Sequence, residues 1–211
     1  MRQSDVMVYL MTGFLDSGKT QFLTFTLEQD YFQIQGKTLL ILCEEGEEEY
    51  DPKEMLKYGV VIEKVEDKED LTEAWLEEMN RKHKPERVVV EYNGMWPVSD
   101  FEKLALPAGW KIEQKIATVD ASTFQMYLTN LKPLFVEMVK GAELVLFNRC
   151  EDIKPLAGYR RSVKVVSPQA EVIFEDEQGE VENIFEDDVP YDLDAPVIEI
   201  PREDYGIWYV D

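Results

Sequence analysis

Cysteine is almost missing from this chain. Only Cys43 and Cys150 occur, far apart in sequence, so a disulfide-stapled scaffold is excluded and a reducing, cytoplasmic setting fits best. Histidine is scarcer still. His83 stands alone, which leaves too few ligands for a closed Cys/His zinc site. Positive charge is also short: Lys and Arg total 22 against 44 Asp and Glu, a formal net charge of −22. Such a surface repels phosphate backbones and anionic membranes, so no nucleic-acid partner is expected, and a nucleotide can bind only where the site supplies its own positive field. The acidity has two readings, a solvated face that maintains solubility and a cation-handling role. Long apolar runs are lacking too. None approaches the roughly 20 residues that span a bilayer, so no membrane insertion is expected. The run Val6 to Met11, preceded by Asp5, is too short and wrongly flanked for a secretory leader.

What is present is a core. Hydrophobic residues make up 45% of the 211 residues and aromatics 11%, enough for one α/β domain with a small appendage. Continuous apolar runs at Val6 to Met11, Lys37 to Leu42, Arg87 to Tyr92, Ile112 to Val119 and Leu144 to Phe147 read as strands buried on both faces, with a shorter one at Val60 to Val65. Between them, Lys19 to Asp30 carries Phe22, Leu23, Phe25 and Leu27 as an apolar helix face. Leu71 to Lys82 places Leu71, Trp75, Leu76 and Met79 at helical spacing, and Phe124 to Val139 supplies one or two helices. Strands alternating with helices predict a mostly parallel central sheet flanked by helices. Residues 1–170 form the expected domain. Within 171–211, Glu171 to Phe185 reads as a hairpin turning at Asp176 to Gly179, followed by an acidic, proline-punctuated tail. The final aromatic segment, Tyr205 to Asp211, has two readings: the start of a following domain, or a strand that docks back on the core.

The residues after the first strand carry the chemistry. Gly13-Phe-Leu-Asp-Ser-Gly-Lys-Thr20 satisfies G-x-x-x-x-G-K-[ST] at every fixed position. Gly13 and Gly18 let the backbone curl so that successive N–H groups face phosphate oxygens. The following helix presents its N-terminus to the same anion. Lys19 reaches the β- and γ-phosphates as a point charge, and Thr20 offers a hydroxyl to magnesium. The expected nucleotide-contacting set is Gly13, Asp16, Ser17, Gly18, Lys19, Thr20 and Gln21. Asp16 is the odd member, since its carboxylate must turn to solvent or repel the nucleotide. The motif in this setting predicts a P-loop NTPase fold.

The spelling GFLDSGKT resembles the GFLGAGKT or GFLGSGKT of the CobW-like GTPases, relatives of the HypB and UreG proteins. Further segments fall in the family's order. Cys43-Glu-Glu-Gly-Glu47 with Asp51 is similar to its NEFGE…D segment. Glu91-Tyr-Asn-Gly94 is similar to its E-[ST]-[ST]-G. Thr118-Val-Asp-Ala121 with Phe124 is similar to VVDA…F, Asn148-Arg-Cys-Glu151 stands where NKxD stands, and Ser167-Pro-Gln-Ala170 is similar to NPxA. The resemblance implies GTP and GDP as ligands with Mg2+. It makes Lys19 and Glu91 catalytic, with Thr20, Glu44, Glu47 and Glu91 around the metal. It places Asn148, Arg149 and Glu151 at the guanine base, Glu151 supplying the carboxylate that accepts from the ring. One family feature is gone. Where G-C-x-C-C stands, this chain has Gly59-Val-Val-Ile-Glu63, which excludes soft thiolate binding there.

The sequence therefore predicts slow, Mg-dependent GTP hydrolysis in a regulatory or metal-homeostasis role, with a protein partner or a metal-trafficking client. Two alternatives stand beside it: a nucleotide-binding scaffold that has lost turnover, and a P-loop enzyme that uses ATP.

Overall fold

The computed structural model describes residues 5–44, 46, 49–151, 153 and 156–175, and the backbone of 181–182. Its chain order is β1 (Val6–Thr12), α1 (Lys19–Glu28), β2 (Thr38–Leu42), α2 (Pro52–Lys57), β3 (Val60–Lys64), α3 (Glu73–His83), β4 (Arg87–Glu91), α4 (Val98–Glu102), β5 (Trp110–Asp120), α5 (Phe124–Asn130), α6 (Lys132–Val139), β6 (Leu144–Asn148), α7 (Ala157–Val166), β7 (Glu171–Glu175) and β8 (Val181–Glu182). Among the described residues these form one eight-stranded sheet in the order β3-β2-β4-β1-β5-β6-β7-β8. Every pairing from β3 across to β7 is parallel, and β8 closes the edge antiparallel to β7. The expected α/β sheet is the one observed.

The continuous apolar strands have a direct cause. Successive side chains in a strand point to opposite faces, and here both faces are covered. Leu39 and Ile41 of β2 pack with Leu76, Met79 and Phe101 from α3 and α4. Leu40, between them, packs with Leu23, Leu27 and Met55 from α1 and α2. The β5–β7 half is closed by an aromatic cluster, with Phe124 5.3 Å from both Phe135 and Phe147, and Phe147 5.3 Å from Phe174. Full burial of each such side chain contributes about 1.5–3 kcal/mol.

Three expectations shift. Phe25 is 62% exposed rather than on the buried face of α1, because Leu23 and Leu27, four apart, already face the sheet and a residue midway between them points away. The α3 helix begins at Glu73, not Leu71, because Thr72 caps it, its hydroxyl accepting from Trp75 N at 3.2 Å. Three helices were not foreseen: α2, α4 and α7. The first is set by Asp51, whose carboxylate accepts from Lys53 N at 2.8 Å, followed by Pro52 at the first helical position. The expected turn Asp176 to Gly179 and the tail from residue 183 lie outside the described residues.

The topology positions the site. β1 lies centrally, between β4 and β5, and Met11 pairs with Glu91. The loop leaving β1 therefore emerges beside the ends of β4, β5 and, one strand further, β6.

Candidate functional site

Gly18 is the N-cap of α1, with φ 87° and ψ 16°, and no side chain caps the helix. That left-handed conformation favours glycine, and the space enforces it: a Cβ would meet Asn148 Nδ2 at 2.4 Å. The first-turn N–H groups of α1 are thus open to an anion. Ser17 N donates to Phe14 O at 3.1 Å, and the Ser17 hydroxyl lies 2.9 Å from Thr118 Oγ1, which ties the loop to β5.

Lys19 is 3% exposed. Its ammonium donates to Gly13 O at 2.8 Å, to Phe14 O at 2.9 Å and to Glu44 Oε2 at 2.6 Å. Thr20 Oγ1 donates to Glu91 Oε1 at 2.8 Å, and Tyr50 OH donates to Glu91 Oε2 at 2.5 Å. Burial pushes the Glu91 carboxyl above the usual carboxylate range and the Glu44 charge adds to this, against the Tyr50 and Thr20 hydrogen bonds and the Lys19 charge. A hydroxyl and a carboxylate side by side are hard oxygen donors of the kind magnesium takes, so Thr20 and Glu91 fit that ion.

On the other side of the loop, Asn148 Nδ2 donates to Ser17 O at 2.8 Å while its Oδ1 is buried without a partner. Arg149 Nη1 donates to Asp16 O at 2.9 Å and pairs with Asp120 Oδ2 at 2.5 Å. Burial raises the Asp120 carboxyl, but hydrogen bonds from Ser122 and Arg149 outweigh it and hold the group below its ordinary value. Asp16 has φ 59°, a left-handed conformation in which glycine is free of strain, and its side chain is exposed. Asp16→Gly is therefore expected to change stability by no more than about 1 kcal/mol. It should raise nucleotide affinity severalfold by removing a negative charge from the loop; calorimetric titration checks it, and weaker binding would contradict it.

The cavity between these groups has a volume of about 110 Å³ and is lined by Leu15, Asp16, Gly18, Lys19, Thr20, Gln21, Glu44, Gly46, Glu91 and Arg149. Of the residues singled out in the sequence, it gathers most of the loop set, Glu44, Glu91 and Arg149; Asn148 braces it from behind. Glu44 is engaged by Lys19 and by Gly94 N–H at 3.3 Å. Glu151 is exposed and not on the lining, and Glu47 lies outside the described residues. Sequence reasoning missed Tyr50, which carried no motif, and the pairing of Asp120 with Arg149. Residues 60–64, in place of the thiolate motif, form β3, with Val60 in the core. Burial raises both cysteine thiols, Cys150 to about 11 and Cys43 further. Among the described residues, no three His, Cys, Asp or Glu side chains group as a metal site.

The family model described as CobW/HypB/UreG, nucleotide-binding domain, matches residues 7–174. Solved structures share the fold. The hydrogenase maturation factor HypB from Archaeoglobus fulgidus is 19% identical with a TM-score of 0.55, the match covering 82% of each chain. The Zn(II)-bound YjiA GTPase from E. coli is 22% identical with a TM-score of 0.58, over 81% of this chain and 57% of that one. HypB from Helicobacter pylori in complex with nickel is 14% identical with a TM-score of 0.56, over 82% of this chain and 80% of the other. No curated protein matches the chain.

Proposed function

Because the chain belongs to the CobW/HypB/UreG nucleotide-binding family, we propose that it binds GTP and GDP at the loop Gly13 to Thr20 and hydrolyses GTP slowly. The observation that carries the nucleotide-binding reading is Asn148, while the guanine preference rests on the family. Its amide nitrogen clips the phosphate loop through Ser17 O, and its Oδ1 is left buried and unpaired, a costly arrangement for a polar atom and one that a ring N–H or amino group nearby relieves. Arg149, held on Asp16 O, lays its stem where a purine face can stack.

The reaction is in-line transfer of the γ-phosphoryl group to water: a P–O bond to water forms, the bond to the β–γ bridging oxygen breaks, and a proton is released with phosphate. Lys19 exchanges Glu44 for a phosphate oxygen. Thr20 and Glu91, hydrogen-bonded to each other here, would hold Mg2+, which would supply charge neutralisation for the transfer. Glu91, steadied by Tyr50, would orient the attacking water. Slow turnover is expected because Arg149, the arginine on the cavity lining, is paired with Asp120.

The role is regulatory, within metal homeostasis. The relatives' nickel and zinc connection reaches this chain through a partner or client, because residues 59–63 bring no thiolate. Calorimetric titration with GTP, GDP and ATP, each with Mg2+, tests the reading together with a phosphate-release assay. The expected result is guanine preference of about tenfold or more with slow release. A preference for ATP would make the chain an ATP-using enzyme, and binding without release would make it a scaffold. Glu151→Ala is expected to narrow the guanine-over-adenine ratio; an unchanged ratio removes Glu151 from base recognition.

A further inference from the structure

We propose that Glu44 is a specificity-determining residue: its carboxylate stands in the place of the terminal phosphoryl group and makes the pocket favour nucleoside diphosphate over triphosphate. This inference rests on the nucleotide-binding reading above.

Glu44 is tied at both oxygens. Oε2 accepts from Lys19 Nζ at 2.6 Å, and Oε1 accepts from Gly94 N at 3.3 Å. An ammonium and a backbone N–H are the donors an anionic phosphoryl oxygen seeks. Gly94 is held at the phosphate loop by close approach, since a Cβ there would fall 2.3 Å from Gly13 O and 2.7 Å from Phe14 Cα. Its N–H is thereby held beside the loop, where it meets Glu44. The ion pair is buried, with side-chain exposures of 3% for Lys19 and 9% for Glu44.

The backbone behind Glu44 is fixed independently of the segment that follows it. Cys43 N donates to Glu91 O at 2.9 Å, and Cys43 O accepts from Asn93 Nδ2 at 3.1 Å. The carboxylate is thus presented from the end of β2, the strand that pairs with the β4 end carrying Glu91. Glu44 lines the same cavity as Lys19, Thr20 and Glu91.

The proton count on Lys19 gives the direction of the preference. Two of its three N–H bonds go to Gly13 O and Phe14 O, the third to Glu44. A diphosphate needs only one of the carbonyl-directed protons. A triphosphate needs the Glu44 proton as well, must break the buried pair, and must expel a like charge from the position it enters. Built-in repulsion against one ligand is a direct way to discriminate between two.

The test titrates the wild-type chain, Glu44→Gln and Glu44→Ala with GDP and GTP plus Mg2+, with pyrophosphate and tripolyphosphate as base-free arms. Thermal unfolding confirms that each variant is folded. The expected result is a rise of about tenfold or more in the GTP-to-GDP affinity ratio in both variants, with the tripolyphosphate-to-pyrophosphate ratio moving the same way. Unchanged ratios overturn the inference while leaving the nucleotide-binding reading intact. A selective loss of GTP affinity with Mg2+ also overturns it and makes Glu44 a metal ligand. If no protein binds guanine nucleotide, the proposed function falls, and the base-free arms alone decide the contest. Failure of those arms to bind overturns both.

Discussion

Lys19→Ala is expected to weaken GTP binding by about a thousandfold or more, ~4 kcal/mol. The ammonium is a full positive charge buried among the loop carbonyls, and on the proposed reading it contacts the phosphates directly. The same substitution also acts on the fold. It strands the Glu44 carboxylate in a buried position and removes the donor from Gly13 O and Phe14 O. Breaking a buried pair by deleting one partner costs about 3–5 kcal/mol, which at this chain length lowers the melting temperature by roughly 2–4 °C per kcal/mol. The double variant Lys19→Ala/Glu44→Ala separates the effects. It should recover much of the lost stability and none of the GTP affinity. Calorimetry and thermal unfolding on the same preparations read both; GTP affinity in Lys19→Ala equal to wild type would place the phosphate site elsewhere.

Glu91→Gln has the second largest effect, with opposite signs in two measurements. Hydrolysis should fall by about a hundredfold or more, the loss typical of removing a positioned acid–base group. Without ligand, the same variant should be more stable than wild type at neutral pH. Burial raises the Glu91 pKa from its ordinary 4.5, so the folded state holds this proton more tightly than the unfolded chain. Stability from this group is therefore highest when it is protonated, and it declines as pH rises from about 4.5 through the raised folded value. Glutamine carries no such charge. The wild-type-minus-variant difference in unfolding free energy should become more negative as pH rises across that window and then level off. A flat difference would mean that Glu91 is no harder to ionise in the fold than outside it.

Much of this was legible in the sequence because the backbone imposes it. Gly18 must adopt a conformation few residues tolerate, and a lysine that is to reach phosphate must stand at the helix start; such demands fix residue type at fixed spacing. The buried strands were legible for a similar reason, since a sheet covered on both faces needs an apolar side chain at nearly every position. What was not legible depended on distant partners. Tyr50 meets Glu91 across 41 positions, with no pattern to announce it. The run Glu44 to Glu49 reads as uniformly acidic, yet Glu44 is buried against Lys19 while Glu49 is exposed. Short helices escaped because five or six residues show too little periodicity. The α7 helix was overlooked although Leu156, Tyr159, Val163 and Val166 recur at helical spacing, Val163 in the core and the others packed against it.

The contact between Gly18 and Asn148 links two tasks usually adjusted separately. The amide fills the space a side chain at position 18 would need, so any bulk added there pushes on Asn148, 130 positions along the chain. On the proposed reading, moving Asn148 to change ring preference would in turn slacken its hold on Ser17 O and on the turn. Ring selectivity and tail affinity would then be mechanically geared, and variants that change one while sparing the other would have to be sought beyond this pair.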